Sequence, residues 1–171
     1  MKRRRFLQTA GVGATVVGAG CMGGGGEVIV SVQRDVRVEP QGAWTRADIP
    51  DVSDPGGEIR YIVKSETPFS VYFFTDPAQF ERYDAYIKGR EPDETPPGNP
   101  KFSQTAVQPE GSDIYQASTD NDGARESLEE PGPYFFAVDH SNYRMETRVG
   151  DYDDPLKAFV DLTVIKSKLP L

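Results

Sequence analysis

Apolar residues recur at every second position along several stretches of this chain, a spacing that restricts those stretches to strands with one buried face. Val28, Val30, Val32, Val36 and Val38 alternate with Ser31, Gln33, Asp35 and Arg37, which face the other way. Ile59, Tyr61 and Val63 repeat the pattern, and Phe69, Val71 and Phe73 do so again after a turn at Pro68. Tyr134-Phe-Phe-Ala-Val138 is apolar on both faces, as in a central strand covered from two sides. Phe159 to Ile165 alternates with Val160, Leu162 and Val164 inward and closes the fold. Phe102–Val107 and Asp113–Ser118 read as further strands, the second followed by a polar turn from Thr119 to Gly123.

One stretch breaks to a helical pattern. Asp76 can cap it, Pro77 suits its first turn, Gln79 stands at the capping-box spacing and Gly89 lies beyond its end. Phe80, Tyr83 and Ile87 share one face, so the helix, placed at 76–88, packs on a sheet. Residues 91–100 hold four prolines and no aliphatic residue and read as a loop. The expectation is a mainly β chain: one antiparallel β-sandwich domain over 27–171, of seven or eight strands, with one short helix.

The beginning of the chain carries an address. Arg3-Arg4-Arg5-Phe6-Leu7 precedes a weakly apolar segment diluted by glycine and threonine, and resembles a twin-arginine translocation signal, with Arg3, Arg4, Phe6 and Leu7 in the motif positions. That segment is shorter than the roughly 20 consistently apolar residues a spanning helix needs. Gly18-Ala19-Gly20-Cys21 resembles a lipobox, with Gly18 where an aliphatic residue is usual. The resemblance implies removal of 1–20, a lipid on Cys21, and a Gly-rich tether over 21–26. It places the domain outside the cell, anchored through that lipid to the outer face of the cytoplasmic membrane.

Charge narrows the partners. Loss of Lys2, Arg3, Arg4 and Arg5, with no acid, takes the formal net charge from −8 to about −12. A chain so acidic is a poor ligand for nucleic acid or anionic lipid, both of which require a basic face. Few lysines beside many carboxylates make it similar to secreted proteins of salt-loving archaea. Cys21 is the only cysteine, so no internal disulfide forms and packing alone holds the domain.

Chemistry-bearing residues are sparse. His140, the only histidine, lies in Asp139-His140-Ser141, where a catalytic reading would make Asp139 its orienting partner. Ser141 is adjacent in sequence, though, and alternating side chains point apart, so a polar strand-end turn after Val138 is the expectation. Ser118, Asp120, Asp122, Gly123, Glu126 and Glu129 follow the spacing of a twelve-residue calcium loop, with Asp120, Asp122 and Glu129 as candidate metal ligands. An Asx-rich turn competes with that reading, as it does for Asp151, Asp153 and Asp154. Glu81 with Asp84, or Glu129 with Glu130, offers carboxylate pairs for glycoside chemistry, whose separation spacing cannot fix. Tyr72, Phe74, Tyr83 and Tyr86 are candidates for a sugar-stacking groove or for core.

Leu128-Glu-Glu-Pro-Gly-Pro-Tyr-Phe-Phe-Ala-Val-Asp139, a variable loop, and Ala158-Phe-Val-Asp-Leu-Thr-Val-Ile165 resemble the paired C-terminal strands of Golgi-dynamics (GOLD) β-sandwich domains. The resemblance implies an interaction fold and brings no catalytic residues. The functional expectation is a lipid-anchored, non-enzymatic binding module at the cell surface with a protein partner there and no required cofactor. A small secreted hydrolase and a calcium-stabilised surface domain are the alternatives.

Overall fold

The computed structural model describes residues 26–119, 125–146 and 153–168. Two antiparallel sheets pack face to face. Strands β1 (Gly26–Val38), β3 (Gly57–Ser65), β6 (Tyr115–Ser118), β7 (Glu126–Leu128) and β9 (Leu156–Ser167) form one; β2 (Gly42–Ile49), β4 (Ser70–Phe74), β5 (Gln104–Thr105) and β8 (Tyr134–His140) form the other. The first runs β1-β9-β3-β6, with β7 also on β3, and the second runs β2-β8-β4-β5. The architecture is a β-sandwich with one helix, α1 (Pro77–Ile87).

Alternation explains the inter-sheet core. Val36, Val38, Ile59, Tyr61, Val63, Leu156, Val160 and Leu162 turn inward from the first sheet onto Val71, Phe73, Tyr134, Phe136 and Val138 of the second. Strands β4 and β8 are apolar on both faces because α1 covers the outer face of their sheet. There Tyr83 meets Tyr72, Phe74 and Tyr143, and Phe80 stacks on Phe135 at 4.4 Å. Asp76 caps the helix by accepting from the Ala78 N–H at 2.8 Å, and Gly89 takes the left-handed conformation, φ 73°, just past its end.

Several expectations are corrected. Val28 is 47% exposed, because the register of β1 shifts between Val28 and Val30 and reverses which face Val28 presents. The strand expected over 102–107 shrinks to β5 and an isolated bridge between Val107 and Gln116; the Phe102 and Ser103 N–H groups close a turn on the Asn99 carbonyl instead. Strands β2 and β7 appear where no strand was expected. The turn expected after Val138 is strand: Asp139 and His140 continue β8, paired with Ala43 and Gly42. Of the aromatic candidates, Tyr72 and Phe74 of β4 pack against Tyr83 of α1 as core, with Tyr86 half-buried, in keeping with the core reading rather than the sugar groove. The loop over 91–100 is pinned by Tyr143 Oη, which donates to the Pro96 carbonyl at 2.8 Å. Among the described residues no helix is long and apolar enough to cross a membrane.

Candidate functional site

Strand β8 separates the residues that a catalytic reading of His140 would join. Asp139 points toward α1, where its carboxylate accepts from Tyr83 Oη at 2.8 Å, from Ser141 Oγ at 2.9 Å and from the Ser141 N–H at 3.1 Å. His140 points between the sheets, so Asp139 does not orient it. Its Nε2 lies 3.0 Å from the Asp154 carbonyl; a carbonyl only accepts, which puts the proton on Nε2. Nδ1 is buried without a partner among the described residues. Asp139, His140 and Ser141 are all fully buried, so the cluster is closed to a substrate. Burial pushes the Tyr83 hydroxyl well above its usual range, and the Asp139 charge adds to the effect, so Tyr83 remains a donor to the carboxylate.

The other candidates disperse. Glu81 is exposed, and Asp84 is ion-paired to Lys88 one helical turn on. Glu129 is exposed, and Glu130 accepts from Thr75 Oγ1 at 2.9 Å. Asp120 and Asp122 lie outside the described residues, as do Cys21, Arg3, Arg4, Phe6, Leu7 and Asp151. Ser118 and Glu126 are strand residues on the edge of β3 opposite β9, and Glu126 pairs with Lys101 at 3.2 Å. No three histidine, cysteine or acidic side chains converge among the described residues.

What the fold does assemble is a basic cleft of about 880 Å3 at the end of the first sheet. The register sets Arg37 directly opposite Lys157, and Lys64 opposite Phe159, two residues along β9. Glu66, Ile114 and Asp154 complete its sides. The Ser65 hydroxyl donates to the Lys157 carbonyl at 2.9 Å and accepts from the Thr67 N–H at 3.0 Å, which fixes the chain where β3 leaves the sheet. Lys64 and Lys157 make no ion pair with any described residue, while Arg37 Nε reaches Glu39 at 2.8 Å. Asp154 links this cleft to His140, whose ring braces its carbonyl from behind. Sequence reasoning gave none of the three cations a role: Arg37 read as an outward residue of a strand, Lys64 and Lys157 as scarce lysines.

Compared with protein-family models, curated proteins and solved structures, the chain matches none. The functional reading therefore rests on its own geometry.

Proposed function

We propose that this protein is a lipid-anchored, extracytoplasmic β-sandwich that acts by binding rather than catalysis, with the basic cleft as its ligand surface. The observation that carries the reading is strand polarity. Strand β1 starts at Gly26, the last residue of the expected tether, and reaches Arg37 after eleven further residues, a rise of roughly 35 Å. Strand β3 runs parallel to it, and β9 returns between them, so Arg37, Lys64 and Lys157 gather at the end farthest from Gly26. A domain held through Cys21 would present that end outward. The burial of Asp139, His140 and Ser141, and the placement of His140 on the opposite face of β8 from the hydrogen-bonded Asp139 and Ser141, support binding over hydrolysis. Replacement of the lipid-accepting sulfur tests the anchor: Cys21→Ser is expected to release the protein from membranes into the medium. Membrane fractionation of that variant identical to the wild type would refute it.

A further inference from the structure

Arg37 in the cleft pairs with Glu39, as Arg46 does with Asp48, Arg60 with Asp161, Lys88 with Asp84 and Lys101 with Glu126, whereas Lys64 and Lys157 join no ion pair among the described residues. What distinguishes the cleft is the register of its charges. Arg37 and Lys157 face each other across a strand pair, an arrangement that costs stability, and Lys64 sits on the diagonal from Lys157. Lys64 and Lys157 are both exposed and unpaired among the described residues, while Glu39 holds Arg37 and Asp35 lies on the other diagonal from Lys157. A ligand that brings negative charge would relieve the repulsion.

Two further features narrow that ligand. Glu66 and Asp154 share the cleft with the cations, so a polyanion that brings no hydroxyl donors beside its charges would meet repulsion as well as attraction. Phe159, 37% exposed, lies on the same face of β9 as Lys157 and opposite Lys64, and offers an apolar platform beside the charges. Cations, hydroxyl-accepting carboxylates and an exposed ring together fit a sugar polymer in which carboxylates alternate with hydroxyls and apolar ring faces. Anionic lipid fits poorly, since it would need its basic patch at the anchored end.

We propose that the cleft formed by Arg37, Lys64, Lys157, Glu66 and Asp154, with Phe159 at its margin, binds an acidic polysaccharide of uronate type. Uronate carboxylates pair with Lys64, Lys157 and Arg37, sugar hydroxyls donate to Glu66 and Asp154, and a ring face lies on Phe159. The inference deepens the binding-module reading and rests on it.

The test is binding of polygalacturonate by the purified full chain, measured by calorimetry beside polyglutamate and neutral dextran. Polygalacturonate is expected to bind, and polyglutamate and dextran are expected to bind at least about tenfold more weakly. Removing two exposed charge contacts in the double variant Lys64→Gln/Lys157→Gln should weaken polygalacturonate about tenfold. Phe159→Ala should weaken it too, whereas Lys168→Gln, the loss of one charge just past the opposite end of β9, should leave it unchanged. Unaltered or raised melting temperatures in the lysine variants show that the fold is intact, because the change removes a repulsive pair. Equal binding of polyglutamate would make the partner an acidic polypeptide and overturn the proposal. So would no binding, insensitivity to the lysine changes, or an equal loss in Lys168→Gln. Failure here with Cys21→Ser still released from membranes would remove this ligand alone and leave the anchored reading standing.

Discussion

Tyr83→Phe deletes one oxygen and keeps the ring, so it isolates the hydrogen bond that ties α1 to β8. The hydroxyl donates to Asp139 Oδ2 at 2.8 Å in a site from which water is excluded. The ring contacts, to Tyr143 at 4.9 Å, Phe74 at 5.4 Å and Tyr72 at 5.6 Å, survive the substitution. A hydrogen bond to a buried charged group contributes about 1.5–3 kcal/mol, and its loss leaves a carboxylate lone pair facing an apolar edge. For a domain of this size that corresponds to a melting-temperature drop of about 4–10 °C. Urea denaturation is the assay, with a lowered midpoint at unchanged slope as the expected result. Tyr86→Phe, on the same helix but half-buried, serves as the reference and should shift stability by less than about 0.5 kcal/mol. In an Asp139→Ala background the Tyr83→Phe cost should fall by at least about 1 kcal/mol, since the partner is already gone. Equal costs in both backgrounds, or a Tyr83→Phe effect no larger than that of Tyr86→Phe, would refute the reasoning.

Phe136→Ala should cost about 3–5 kcal/mol, because its fully buried ring meets Tyr61 at 5.1 Å and Trp44 at 6.4 Å between the sheets; an unaltered melting temperature would contradict its central place. Asp51 accepts from the Ser53 N–H, the Ser53 hydroxyl and Tyr134 Oη, and these bonds, the Ser53 N–H foremost, hold its carboxyl at about 2, below the usual 3.8. Its folded-state value is depressed, so its contribution is complete above about pH 4 and is lost as pH falls toward about 2. The stability gap between wild type and Asp51→Asn, followed by urea denaturation, should therefore narrow over that window, and a constant gap would exclude the linkage. Molar potassium chloride should raise the melting temperature by screening the excess of carboxylates, and millimolar calcium in that background should add almost nothing; a saturable calcium shift abolished by Asp122→Asn would establish an ion site instead.

The strands with strong two-residue alternation were legible because burial on one face writes itself into the sequence. Ile59, Tyr61 and Val63 each turn inward, as do Val160, Leu162 and Val164. Strand β2 was not, since Gly-Ala-Trp-Thr-Arg-Ala-Asp-Ile lies at a sheet edge and buries fully only Ile49, leaving too few apolar residues to set a period. Residues 139 and 140 misled for a different reason. Asp-His-Ser is a turn signal by local chemistry, yet Tyr83, reached through the fold from α1, supplies a hydrogen bond that lets the carboxylate be buried in a strand.

The cleft was illegible on principle. Its three cations come from β1, β3 and β9, and each, read within its own strand, is only an outward-facing charge in an alternating pattern. Only the pairing register converts them into a cluster, because it places Arg37 on Lys157 and Lys64 one diagonal away. A shift of one residue along β9 would send Lys157 into the core and bring Leu156 or Ala158 outward, so the apolar alternation that fixes the register also fixes the charge cluster. The core fixes the register, and these exposed residue choices at Arg37 and Lys157 turn it into a cross-strand repulsion. It could be relieved at either position by a neutral residue without touching the buried face, which is why its presence directs attention to a ligand.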